Sequence, residues 1–247
     1  MSTAILSALP EEQAGLVQAL AQPQRIIHAG RSFWRGELYD RPVVLALSGM
    51  GKVAAATTAT ALIERFGAAR IVFTGVAGGL GDGVNVGDVV VAQDYVQHDL
   101  DASPLFPRWE LPGYARTRLA CDPHLTALLL EAAGACVARA GGQSDPNSSS
   151  HRIHHGLIAS GDRFVSAAHE SERLRSALRA AGHEVLAVEM EGAAVAQVCL
   201  DYGLPFAAVR TISDRADDAA HTDFAQFVQT VASRYAEHMV QTLLQKL

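Results

Sequence analysis

"EVLAVEMEGAAVAQVCLDYG", residues 184–203, passes from a short apolar run through two glutamates into a stretch of helical character that closes on a glycine. The run at 185–188 is apolar on both of its alternating faces, which suits a strand in a sheet covered on each side. Gly203 can take the left-handed conformation that commonly ends a helix. Between them stand Glu189 and Glu191, and burying an unpaired carboxylate there would be costly. The stretch therefore divides into the end of a strand, a candidate pocket wall and the start of a helix.

The same alternation recurs outward in both directions. Apolar runs lie at "AILSAL" (4–9), "VVLALS" (43–48), "IVFTG" (71–75), "DVVVAQ" (88–93), "GLIASG" (156–161) and "FAAVRTIS" (206–213). Helical stretches span 52–67 and 122–141, and an amphipathic helix over 223–246 carries Phe224, Phe227, Val228, Val231, Met239 and Leu243 near helical spacing. The pattern predicts an α/β domain with a mostly parallel sheet between helical layers. The segment "ARAGGQSDPNSSSHRIHH" (138–155) is rich in Gly, Ser, Asn and Pro and reads as an exposed mobile loop, with 141–152 as its flexible part. Strand–helix alternation resumes after it, so 1–247 is expected to be a single domain.

A chain of 247 residues, 49% hydrophobic and 19% charged, can bury a sizeable core. The formal net charge of −6 supplies no excess of cations for a phosphate backbone, which points away from nucleic acid and towards a small-molecule partner. Cys121, Cys136 and Cys199 are odd in number and widely spaced, so reduced buried thiols are expected rather than a disulfide framework or zinc site. The start "MSTAILSALPEE" lacks a basic leader region and no apolar run reaches the ~18 residues of a spanning helix. A cytoplasmic protein that enters no membrane is the expectation.

In sheets of this class ligands bind beyond the carboxyl ends of the strands. Those ends read "ALPEE" with Glu11 and Glu12, "SGMGK", "TGVAGGLG", "SGDRF", "VEMEG" and "RTISDRAD". The "SGMGKVAAA" loop opens a helix whose amides can hold an anion or a sugar hydroxyl, and it serves equally as a tight turn. It fits neither of the common nucleotide-binding glycine fingerprints, because Val53 follows Lys52 and Ala54 takes the third glycine position. Asp214, next to Ser213 just past an apolar strand, would have a raised pKa suited to a general acid; capping the next segment is the competing reading. Glu12 is open to both a chemical role and a place in the first turn of a helix. His151, His154 and His155 lack a carboxylate or thiol at ligand spacing, so no metal is expected. "HDLD" (98–101) reads as a hydrogen-bonded acidic–histidine turn as well as it reads as a ligand set.

Taken in order, "ALPEE", "SGMGKVAAA", "TGVAGGL", "VGDVVV", "HDLD", "SGDRF", "VEMEGAAVAQVC" and "RTISDRAD" resemble the 5′-methylthioadenosine/S-adenosylhomocysteine nucleosidases of the purine nucleoside phosphorylase family. The matches run from residue 4 to about 224, nearly the whole chain. The resemblance implies a three-layer α/β/α fold around a mostly parallel, twisted, mixed sheet, usually homodimeric, that hydrolyses adenine nucleosides without metal or organic cofactor. It implies Glu12 as activator of the attacking water and Asp214, with Ser213 beside it, as proton donor to the purine N7. It implies Phe164 stacked on adenine, the backbone of Val165 at the adenine edge, Met190 and Glu191 on the ribose, and Arg210 supporting that region. Gly78 would line the nucleoside pocket, with Met50 and Phe224 around the 5′-thio group. Glu189 is either a supporting partner or paired within the fold.

Cleavage of a nucleoside passes through a sugar with oxocarbenium character, so adenine must be made a better leaving group while a nucleophile reaches the anomeric carbon. Proton donation and water activation each contribute typically about 10²–10⁴ in rate. A phosphorylase must bind phosphate, and related enzymes use arginines near the ends that here read "ALPEE" and "TGVAGG"; Glu12 would repel that dianion. Val76 departs from the family pattern, which has a small hydroxyl residue there, and "ASPLFPRWELPGYARTR" (102–118) is unusual where the family builds its 5′ pocket. A phosphorylase, an aminofutalosine-type hydrolase and a non-catalytic nucleoside sensor are the competing functions, with a dinucleotide-dependent oxidoreductase weaker still.

Overall fold

The apolar runs become strands, and polar segments between them supply further elements. The structure, a computed structural model, describes residues 2–141 and 151–247. In chain order the first half contains β1 (Ser2–Ser7), α1 (Pro10–Ala19), β2 (Ala21–His28), β3 (Arg31–Leu38), β4 (Arg41–Leu47), α2 (Lys52–Glu64), β5 (Ala68–Gly79) and β6 (Val89–Gln97). The second contains β7 (Leu119–Ala120), α3 (Pro123–Gly141), β8 (Ile153–Ser160), α4 (Ala168–Ala180), β9 (Val185–Glu189), α5 (Gly192–Tyr202), β10 (Phe206–Asp214), α6 (Ala220–Phe227) and α7 (Ser233–Lys246). A π-helical turn, Val228–Ala232, joins the last two, so the closing helix begins earlier than expected and is widened midway.

The core of the sheet is parallel, with β1 between β4 and β5 and β10 beside β5. From β10 the sheet continues antiparallel to β6, parallel to β8 and β9, and antiparallel back to the last two residues of β5, closing a five-strand ring. The antiparallel edge β4–β3–β2 comes from segments that the sequence did not mark as strands. Their patterns explain why: β2, "AQPQRIIH", buries no side chain fully, and β3 buries only Phe33 and Leu38. Helix α4 was missed for a similar reason, since its one buried residue is Leu178.

Two helical layers cover the sheet. On one face α2 and α5 supply Ala55, Ala59, Leu62, Ala193, Val195 and Cys199 to the core. On the other, Leu16 of α1, Leu125 and Leu129 of α3, and Val240, Leu243 and Leu244 of α7 pack together. Full burial of each such aliphatic side chain is worth roughly 1.5–3 kcal/mol. Of the segment 138–155 expected as a loop, 138–141 belong to α3 and 153–155 to β8, while 142–150 lie outside the described residues. Among the described residues no helix is long and apolar enough to cross a membrane.

Candidate active site

β5 is the hub of the site. Gly78 near its end pairs with Asp214 of β10 on one side and with Val188 of β9 on the other. This register brings the ends of three strands to one cleft of about 460 Å³ including its open mouth, within the range of small-molecule sites. A Cβ at Gly78 would lie 2.9 Å from Asp214 Oδ1, so glycine is what lets the carboxyl sit against the strand.

Asp214 is buried at 2% exposure. Its Oδ2 accepts from Ser213 Oγ at 2.8 Å and its Oδ1 from the Ala216 amide at 2.8 Å. Burial raises its pKa, and the nearby Asp217 and Asp223 add to the rise against those two donors. The local turn and the functional reading are therefore compatible: one oxygen closes the turn while the residue lines the cleft.

Glu12 sits in the first turn of α1, again at 2% exposure. Its Oε2 accepts from the amides of Ala8 and Leu9 at 2.8 and 2.9 Å, and its Oε1 from Val76 at 3.0 Å. Desolvation raises its pKa despite those amides and the charge of Arg210. A Cβ at Gly75 would come within 2.9 Å of Glu12 Oε1 and 3.2 Å of Arg210 Nη1, so glycine keeps the space between carboxylate and guanidinium clear.

The two glutamates of 184–203 have separate tasks. Glu189 is paired with Arg210, Nη2 to Oε2 at 2.7 Å, and accepts from Ser160 Oγ and from the Gly192 amide. Arg210, itself 1% exposed, lies with its guanidinium carbon 3.9 Å from the Phe73 ring centroid. Burial opposes its charge, but Tyr95 and then the carboxylates Glu189 and Glu191 raise its proton affinity above the usual value. Glu191 faces the cleft and accepts from the Gly51 amide at 2.8 Å. Its pKa is pushed up to about 8, by burial first and then by the neighbouring Glu189. The group held by the glycine loop is thus a side chain of the protein.

Met50, Gly78, Phe164, Met190, Glu191, Ser213 and Phe224 line the cleft together with Glu12 and Asp214. Phe164 and Phe224 meet edge to face at its mouth, with ring centroids 5.6 Å apart. The Val165 side chain packs away from the wall with Leu80, Val96 and Trp109, and the contact expected of this residue is through its backbone. Arg210 also stands back from the wall, behind Glu189. Ala8, Leu9, Ala77, Val188 and Glu189 line the cleft without having been foreseen, and no Lys, Arg or His does so among the described residues. Ser160 was another omission; a lone hydroxyl at the end of an apolar strand was its only signal.

"HDLD" is not an acidic–histidine turn. His98 Nε2 has no partner among the described residues, whereas Asp99 pairs with Lys52 at 2.6 Å. His154 lies in β8 with its Nε2 hydrogen-bonded to Asp88 Oδ2 at 2.8 Å, and among the described residues no three His, Cys, Asp or Glu side chains gather for a metal ion. In the 102–118 segment Trp109 is buried, its indole nitrogen donating to His98 O at 2.9 Å, and no residue of that segment lines the cleft.

The family model described as the phosphorylase superfamily matches residues 2–245. The chain belongs to the phosphorylase superfamily. Within this superfamily it is 34% identical, over the full length of both chains, to a 5′-methylthioadenosine/S-adenosylhomocysteine nucleosidase of Shewanella denitrificans. The solved structure of such a nucleosidase from Neisseria meningitidis, in complex with methylthio-immucillin-A, superposes with a TM-score of 0.87 at 34% identity, covering 100% of this chain and 99% of that one. A futalosine hydrolase of Helicobacter pylori superposes with a TM-score of 0.85 at 32% identity, covering 100% and 98%. The family that the eight motifs suggested is therefore the family of the chain.

Proposed function

We propose that this protein hydrolyses the N-glycosidic bond of 5′-methylthioadenosine, S-adenosylhomocysteine or both, releasing adenine and the thioribose product. The observation that carries this reading is the convergence of three buried carboxyl groups, Glu12, Glu191 and Asp214, on one cleft, each with its pKa raised. Asp214 donates a proton to the purine N7, which makes adenine a neutral leaving group. Glu12, anchored by three amides, takes a proton from water as the water attacks the anomeric carbon. Glu191 receives the ribose hydroxyls, and in its ionised form its charge favours the developing positive sugar. Phe164 stacks on the base, Met190 lies under the sugar, and Met50 and Phe224 surround the 5′ substituent. Arg210 acts from behind by holding Glu189.

The charged residues of the wall are all acidic, which supports water over phosphate as nucleophile, because a dianion entering beside Glu12 would meet no basic lining residue among the described residues. We also propose a homodimer, supported by the exposed apolar side chains Met50, Val53 and Leu105, at 66%, 79% and 84% exposure. Three free buried cysteines support a reducing compartment, the cytoplasm.

The likeness to a futalosine hydrolase favours a second substrate reading. Adenine release from 5′-methylthioadenosine, S-adenosylhomocysteine and an aminofutalosine-type nucleoside, each with and without phosphate, decides among them. Phosphate-independent release from the thio nucleosides is expected. Strict phosphate dependence would overturn hydrolysis, and preference for the third nucleoside would overturn the substrate assignment.

A further inference from the structure

Helix α2 begins without a capping side chain of its own, because Gly51 occupies the cap position. Its first amides go instead to carboxylates of two other cleft segments. Gly51 N donates to Glu191 Oε1 at 2.8 Å, and Lys52 N donates to Asp162 Oδ1 at 2.7 Å. The amide of Asp162 in turn donates to Asp99 Oδ2 at 2.9 Å. Lys52 Nζ completes the circuit by donating to Asp99 Oδ1 at 2.6 Å. Lys52, Asp99 and Asp162 thus form a closed ring in which every member is bonded to the other two.

The ring is tied into the body of the fold. Lys52 Nζ also donates to Gln97 Oε1 at 3.1 Å, and Gln97 Nε2 donates to Gln197 Oε1 of α5 at 2.8 Å. On its other side lies the cleft: Met50 and Gly51 precede Lys52, and Phe164 follows Asp162 by two residues. Gly51 has a φ of 94°, and a Cβ on it would lie 3.2 Å from Asp162 Oδ1, so both its conformation and this close approach favour glycine.

We propose that the Lys52–Asp99–Asp162 ring is a positioning device that holds the Gly51 amide on Glu191 and, through the same bonds, fixes the 161–165 segment carrying Phe164. The ribose and base contacts are then set from one strut rather than independently, which is how an oriented pocket limits the loss of binding to loop motion. The inference rests on the reading of Glu191 and Phe164 as ribose and base contacts. None of the three ring residues lines the cleft.

Lys52→Gln, Lys52→Arg and Asp99→Asn in the full chain separate this from simple helix capping. The Lys52 and Asp99 side chains are 17% and 32% exposed, so solvent weakens the pair. A rise in KM of about tenfold is expected for Lys52→Gln, with kcat changed less, and most of the loss restored in Lys52→Arg. The Gly51 amide favours ionised Glu191, so its displacement should also move the acid limb of kcat/KM to higher pH. A lowered thermal midpoint with KM and the acid limb unchanged would reduce the ring to a cap and overturn the proposal. Should Lys52→Gln fail to fold, Asp99→Asn, which keeps an acceptor for the Asp162 amide, must show the same rise in KM, and a wild-type KM there overturns the proposal equally. Absence of adenine release by the wild type overturns the parent reading instead, and this proposal with it.

Discussion

Glu191→Gln should stabilise the protein while disabling it. The free carboxyl keeps its proton up to about 8 in the native state, against 4.5 ordinarily, because it is buried and next to Glu189. Between those values the native state binds more protons than the unfolded chain, so wild-type stability on this account falls as pH rises from about 4.5 to about 8 and is level outside that window. At ~1.4 kcal/mol for each tenfold change in proton affinity, the upper bound on the loss is about 5 kcal/mol. Relaxation of the site brings the expected difference to about 2–3 kcal/mol, or ~5–10 °C in thermal midpoint for a chain of this size. Glutamine keeps the shape and an oxygen for the Gly51 amide but does not titrate. Thermal unfolding of both proteins at pH 5 and pH 9 should show nearly equal midpoints at the lower pH and a more stable variant at the higher. Adenine release should fall by about 10–100-fold, the worth of charge-assisted hydrogen bonds to the ribose. Equal midpoints at pH 9, or undiminished turnover, would refute the reasoning.

Asp214→Asn should lower kcat by about 10²–10⁴ while leaving nucleoside binding largely intact, measured by adenine release and by titration with a non-hydrolysable analogue. If neither wild type nor variant turns over a nucleoside that both bind, the protein is a sensor. Gly192→Ala should destabilise through overpacking by about 1–3 kcal/mol, since a Cβ there would lie 2.2 Å from the Tyr95 ring; chemical denaturation measures it.

The cleft wall was legible because strand ends concentrate chemistry. "ALPEE", "VEMEG" and "RTISDRAD" each break an apolar run with a carboxylate, and all three face the cleft. The partners of backbone groups and of supporting side chains were not legible, since nothing in a side chain reports where its amide points. Gly51, bonded to Glu191 from 140 positions away, shows this directly. Ser160 and Asp162 belong to the same class, each acting through a partner distant in sequence.

By itself the sequence determined the α/β alternation, the strands buried on both faces and the family, because hydrophobic periodicity and ordered motifs are local properties of the chain. From residue chemistry alone it could not say what would satisfy each of the two glutamates, although the family resemblance implied Glu191 on the ribose and left Glu189 open. That was decided by the tertiary structure: Arg210 on β10 and Ser160 on β8 converge on Glu189 and satisfy it, leaving Glu191 to the cleft. Two carboxylates one residue apart are chemically alike, and only the long-range arrangement of charge and hydrogen-bond donors around each ties Glu189 into a buried ion pair and leaves Glu191 facing the cleft on one backbone amide.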